Sequence, residues 1–261
     1  MSTSIKKTLK IVASDNYDKT NIFYFFILIF IGGMLGGLPN LVGSEKSTSL
    51  IPLIYLLYFV FSFLIQGIVI IATNNAIYRR KGVFPNPIEY IGKAFKYSFF
   101  TFIGYFVNTF MITLICGLIM GLLMQVNTMA AIFVTIPVCL FFTAFLIGAQ
   151  FNFFTNLSFS DWFNYKKALE FMKKAGKYFC GYFFRSIAIY FLFSLIFLLV
   201  FIMVMIPFGA MTFLGPDSTQ QSLPPLAYTI GMILGTIYAG LCSIYITELN
   251  AQFVRASLKQ K

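Results

Sequence analysis

Three short polar runs interrupt an otherwise apolar chain: Ala72-Thr73-Asn74-Asn75, Ala149-Gln150-Phe151-Asn152 and Thr247-Glu248-Leu249-Asn250. Aligned on their last residues, Asn75, Asn152 and Asn250 share one column, and Thr73, Gln150 and Glu248 another. Amides both donate and accept hydrogen bonds, whereas a carboxylate accepts and carries charge. At the ends of membrane helices such groups can do two things. They can tie neighbouring helices together, at about 0.6 kcal/mol per bond on average, or they can line a polar cavity open to the cytoplasm. Asn75, Gln150, Asn152, Glu248 and Asn250 are the candidate cavity residues. Glu248 keeps the second outcome open, because it is the one carboxylate within a turn of a spanning segment, and intramembrane acids are functional candidates.

Other chemistry is poorly supplied. The chain has no His, which removes Ser-His-Asp triads, His-based acid/base catalysis and His metal sites. It has no Walker A run and no pair of acids within its apolar stretches. Cys116, Cys139, Cys180 and Cys242 form no C-x-x-C pair and read as small packing residues. No catalytic constellation assembles. The expectation is a non-enzyme without cofactor or metal.

The elements that position these residues follow from composition. Of the 261 residues, 59% are hydrophobic and 10% charged, whereas a soluble domain carries about a quarter charged residues. The bilayer must be the solvent. Stretches of about 20 apolar residues suffice to cross it, and there are six, at roughly 22–42, 50–72, 98–124, 129–151, 186–213 and 226–247. They are continuously apolar rather than alternating, so they read as helices and not barrel strands. The fold class is all-α: a single polytopic membrane domain, with the first span a retained signal-anchor. Every basic residue except Lys46 falls on the side of the N-terminus, the second and fourth connections and the C-terminus. The positive-inside rule then places both ends in the cytoplasm of a cell membrane, expected to be an inner membrane. The net charge of +11 is accounted for by anionic lipid headgroups, and nucleic acid is not an expected partner.

A unit repeats three times, at about 1–80, 81–157 and 158–261: an amphipathic stretch, two spans, a polar exit. The amphipathic stretches are 3–14, 86–97 and 161–177. In the second, Ile88, Ile91 and Phe95 share a face, and Glu89 and Lys93 are spaced as an i,i+4 pair. In the third, Trp162, Tyr165, Leu169 and Met172 share a face, with Ser160 or Asp161 as cap. Each reads as a short interfacial helix before a hairpin of spans. The G-x-x-x-G pairs Gly32/Gly36, Gly33/Gly37, Gly117/Gly121 and Gly231/Gly235 predict close helix approach, within the bundle or between subunits. Pro137 and Pro207 predict kinks.

Two passages carry a resemblance. One runs from Phe84-Pro85-Asn86-Pro87 through Ile88-Glu89-Tyr90 to Gly104-Tyr105; the other from Asp161-Trp162-Phe163-Asn164-Tyr165-Lys166-Lys167-Ala168-Leu169 to Lys177-Tyr178. With the hairpin layout, the chain resembles multi-pass membrane proteins of prokaryotes grouped as domains of unknown function. More distantly, it is similar to the membrane domain fused to some glycerophosphodiester phosphodiesterases. The resemblance implies no activity and no site residues. The sequence leaves in front an accessory or scaffold component of the cell envelope, with a membrane-protein partner or a second copy. The alternative is a transporter or transporter subunit for a small solute or lipid. An immunity or resistance protein is the third possibility.

Overall fold

The structure, a computed structural model, describes residues 17–41, 50–205 and 225–258. Six long helices account for nearly all of them: α1 (Lys19–Leu41), α2 (Ile51–Ile77), α3 (Ile91–Met124), α4 (Thr128–Asn156), α5 (Tyr165–Met205) and α6 (Pro225–Leu258), with one 3-10 turn at Phe159–Trp162 before α5. All six are long and apolar enough to cross a membrane. The chain is thus a multi-pass membrane protein by the length and composition of its helices, as the hydropathy predicts.

Each helix lies beside the next in sequence, and α6 returns to α1, so the ring closes. Within it α2 also touches α4 and α6. Pairs inside a proposed repeat and pairs between repeats are both packed, so adjacency does not single out three hairpins. The first amphipathic stretch, 3–14, lies outside the described residues, as do Pro207 and the polar segment that follows it.

The second and third amphipathic stretches are not separate helices. Residues 87–90 form a turn, begun by Asn86, whose Oδ1 accepts from the Ile88 amide at 3.1 Å. From Ile91 one helix of 34 residues continues to Met124. The expected Glu89–Lys93 pair is absent among the described residues: Lys93 sits over the Tyr90 ring and Glu89 accepts from Asn86. In the third stretch the cap is Asn164, whose Oδ1 accepts from the Lys167 amide at 3.1 Å, and α5 then runs 41 residues without a break. At about 1.5 Å per residue that is about 60 Å, twice the hydrocarbon thickness. Its first four turns, which carry Lys166, Lys167, Lys173, Lys174 and Lys177, therefore have no need of the hydrocarbon layer. The face expected to be apolar and shared is also turned differently. Ala168, Phe171 and Ala175 are buried, whereas Tyr165 and Leu169 are exposed. The small Ala168 and Ala175, at i and i+7, let α5 approach α4 closely, Ala168 against Gly148.

Glycines let the helices approach closely, singly on α2, α4 and α6 and in the paired motif on α1. A Cβ on Gly67 of α2 would overlap the Ala94 carbonyl of α3. One on Gly148 of α4 would sit 2.9 Å from the Ala168 carbonyl of α5, and one on Gly240 of α6 would overlap the Phe26 ring of α1. Gly117, Gly121 and Gly235, from the predicted pairs, have nothing within 4 Å of such a Cβ. On α1 a Cβ on Gly32, Gly33 or Gly36 would come within 3.1, 2.9 and 2.9 Å of the Ile65, Met232 and Tyr58 side chains, and these glycines, with Gly37, Gly231 and Gly235, line an apolar groove of about 660 Å³ between α1, α2 and α6. Helix α4 passes through Pro137 as one element.

Candidate functional site

The polar exits meet at the basic end, where α2, α4 and α6 finish. α2 ends in a left-handed residue, Arg79 (φ 54°), and α4 in another, Leu157 (φ 56°). Such residues close a helix by returning amides to its last carbonyls; here the Arg79 amide donates to Ala76 and the Leu157 amide to Phe153. The carbonyls still open at a helix end need other donors, and side chains of neighbouring helices supply them. Asn74 Nδ2 of α2 donates to the Phe154 and Thr155 carbonyls of α4 at 2.7 and 2.8 Å. Arg255 Nη1 of α6 adds a second donor, at 3.0 Å, to the Ala76 carbonyl of α2 that also accepts from the Arg79 amide. α4 and α6 meet through rings, with Phe151 and Phe253 centroids 5.1 Å apart.

Glu248 lies at the heart of this arrangement. It is 1% exposed and forms an ion pair with Arg255 Nη2. Gln252 Nε2 donates to its Oε1 at 3.3 Å, and the Tyr17 hydroxyl, from the residues preceding α1, to its Oε2 at 3.1 Å. Tyr17 is itself 3% exposed. Burial, and secondarily the Glu248 charge, push its phenol well above the ordinary range of about 10. The hydroxyl therefore stays a donor. A buried carboxylate is tolerable only when its acceptor positions are filled and its charge is opposed; Arg255, Gln252 and Tyr17 do both.

The five residues nominated from sequence do not share one cavity. Gln150 Oε1 accepts from the Tyr105 hydroxyl of α3, and Asn250 Oδ1 from the Tyr182 hydroxyl of α5, each at 2.6 Å. Glu248 is locked as described. Asn152 Nδ2 is buried and finds no acceptor among the described residues. Asn75 borders an open hollow of about 470 Å³, and its Nδ2 also donates to the Val83 carbonyl at 3.2 Å. Gln150 and Asn250 thus act as helix-to-helix ties, each to a tyrosine of the preceding helix, and Glu248 ties α6 to the residues preceding α1.

The sequence reading missed Arg255, Tyr17, Tyr105 and Tyr182. One signal was available: Arg255 stands seven residues after Glu248, two turns along the same face of a helix. Trp162 was placed at the membrane surface. It is instead fully buried, carried inward by the 3-10 turn against Gly104, where a Cβ would overlap its indole, and between Tyr105 and Phe153 at 5.0 and 5.5 Å. Lys167 reaches back to Asp161 at 3.4 Å and fastens that turn to α5. Comparison with known protein families, with curated proteins and with solved structures finds no match to this chain.

Proposed function

We propose that the chain is a non-enzymatic integral membrane protein, an accessory or scaffold component of the cell envelope whose basic end faces the cytoplasm. The observation that supports this most is the use made of Glu248. The one buried glutamate among the described residues is spent on Arg255, Gln252 and Tyr17, and none of the three is a solute. Gln150 and Asn250 are likewise spent on neighbouring helices. Exposed lysines on the first turns of α3 and α5 suit anionic headgroups, and a protein partner or a second copy would lie against the lipid-facing helices.

The test is recovery of the full chain from its native membrane in mild detergent after cross-linking. A defined complex, or self-association, is the expected result. A plain monomer with no co-purifying protein would sink the scaffold reading. Transport of a small solute or lipid is the second reading, favoured by Asn75 at the rim of an open hollow. It takes over if reconstituted chain supports flux that Asn75→Ala abolishes.

A further inference from the structure

The hollow beside Asn75 has a lining that the packing of the helices does not explain. It opens between the residues leading into α1, the last turn of α2 and the connection from Arg79 to Tyr90. Binding sites of comparable volume are as a rule lined mainly by apolar and aromatic side chains. This one is lined mainly by Asp18, Asn75, Arg80, Lys81, Asn86 and Glu89.

Two cations and two anions thus surround one space of about 470 Å³. Opposite charges so close together ordinarily pair, yet among the described residues none of the four belongs to an ion pair. Three of them are held by neutral neighbours instead. Asp18 Oδ1 accepts from the Thr20 amide at 2.9 Å and caps α1. Glu89 accepts from Asn86 Nδ2 at 3.2 Å. The Arg80 guanidinium lies over the Tyr78 ring, 5.4 Å from its centroid, with Nη1 3.4 Å from Asn75 Oδ1. The wall behind them is anchored by Val83 and Phe84, both buried, and turned by Gly82 at φ 68°. The charges are therefore held apart across a gap rather than collapsed onto each other.

Charge balance defines what fits. A simple anion reaching Arg80 and Lys81 would also meet Asp18 and Glu89, and a simple cation would meet the reverse. A molecule carrying both charges meets neither repulsion. Asp18 precedes α1, Asn75 lies in the last turn of α2 and Glu89 precedes α3, so the hollow sits at the rim of three membrane-length helices, the depth of lipid headgroups.

We infer that the hollow binds a zwitterion made of a phosphate ester and a primary ammonium, the phosphoethanolamine group. The phosphate lies toward Arg80 and Lys81, and the ammonium donates to Asp18 and Glu89. The inference stands on the hollow and does not depend on the scaffold reading; a monomeric protein would bind the group equally well.

Native mass spectrometry of the purified full chain, offered equal amounts of phosphatidylethanolamine, phosphatidylcholine and phosphatidylglycerol, tests it. Phosphatidylethanolamine is retained over both others, because phosphatidylcholine lacks ammonium N–H donors and phosphatidylglycerol lacks the ammonium. Glu89→Gln lowers its retention about tenfold, the effect of one charged hydrogen bond, while phosphatidylglycerol retention is unchanged or higher, which also reports an intact fold. Arg80→Gln lowers both. Lys177→Gln, away from the hollow, leaves the preference as it was. Soluble glycerophosphoethanolamine then distinguishes the source. Competition at the same residues assigns the group whether free or on a lipid; retention of the lipid without competition assigns the lipid; both support the site. Retention ordered by negative charge alone, with Glu89→Gln leaving that order untouched, overturns it.

Discussion

The two ends of the bundle are built on different terms. At the basic end the helices are bound by directed contacts: Asn74 to the last carbonyls of α4, Arg255 to the last turn of α2, Glu248 to Tyr17. Trp162, Phe84, Phe153 and Phe253 are fully enclosed there. In the opposite half burial nearly stops. Among the described residues, beyond Asn108 α3 buries only Cys116, before Gly148 α4 buries only Ala131 and Thr135, and beyond Ala175 α5 buries only Ile189. That half also holds the apolar groove and Gly117, Gly121 and Gly235, where a Cβ would touch nothing. The difference follows from the solvent. Between helices in lipid there is no hydrophobic driving force, so cohesion must come from close packing and hydrogen bonds, and both are concentrated where polar residues and single close-approach glycines occur.

The largest effect should come from the buried ion pair. Arg255→Met leaves the Glu248 carboxylate enclosed without a counter-charge, and should cost about 3–5 kcal/mol in reversible unfolding in bicelles. The double change with Glu248→Leu should recover much of that. If Arg255→Met is silent, the basic end is not where the bundle is held. Trp162→Ala should cost about 3–5 kcal/mol through the cavity it leaves, whereas Phe106→Ala, an exposed ring of similar type on α3, should cost little in the same assay. Glycine-to-alanine changes sharpen the contrast directly. Gly67→Ala should cost about 1–3 kcal/mol by overpacking, and Gly117→Ala or Gly121→Ala less than about 0.5 kcal/mol. Equal costs at both places would abolish the distinction between the ends.

Two smaller effects remain. In the open half the Cys116 and Cys139 sulfurs lie 3.3 Å apart across α3 and α4. A membrane-permeant thiol oxidant should join them, so that cleavage at a protease site inserted after Gln125 leaves the two fragments linked. Failure to join would mean the helices part more widely there than described. Finally, the Tyr17 phenol is held neutral when folded but ionises near its ordinary pKa of about 10 when unfolded. Above that pH the unfolded chain binds fewer protons than the folded one, so stability falls as pH rises. Tyr17→Phe should remove that part of the alkaline slope and leave neutral pH behaviour governed by the lost hydrogen bond alone.

Much of the architecture was legible because hydropathy reads solvent directly. The helix ends on the non-basic side match the apolar runs closely: Ile51, Met124, Thr128 and Pro225 against 50, 124, 129 and 226. On the basic side every predicted end falls short, from three residues at α1 to twenty-one at α5. Hydropathy stops where the lipid stops, whereas a helix continues as long as its backbone and packing allow. The amphipathic segments were seen but read as separate for that reason. The candidate site was half legible. Glu248 stood out as a lone acid, but Tyr17 lies 231 residues away, and no local pattern announces such a pairing. Paired glycines were a partial guide: Gly32, Gly33 and Gly36 of α1 lie against Ile65, Met232 and Tyr58, whereas Gly117, Gly121 and Gly235 meet nothing, because the spacing that permits close approach does not supply the partner; Gly67 and Gly148 found theirs through Ala94 and Ala168.

The contact between Tyr17 and Glu248 also has a consequence in time. A chain made from its N-terminus delivers α1 to the membrane first and α6 last, so Tyr17 waits through the synthesis of five further helices before its acceptor exists. Until then the α2 terminus lacks Arg255 as well. Nascent intermediates therefore carry an unsealed edge along α1 and α2, and the arrival of one acidic turn in the final helix is the event that retires it.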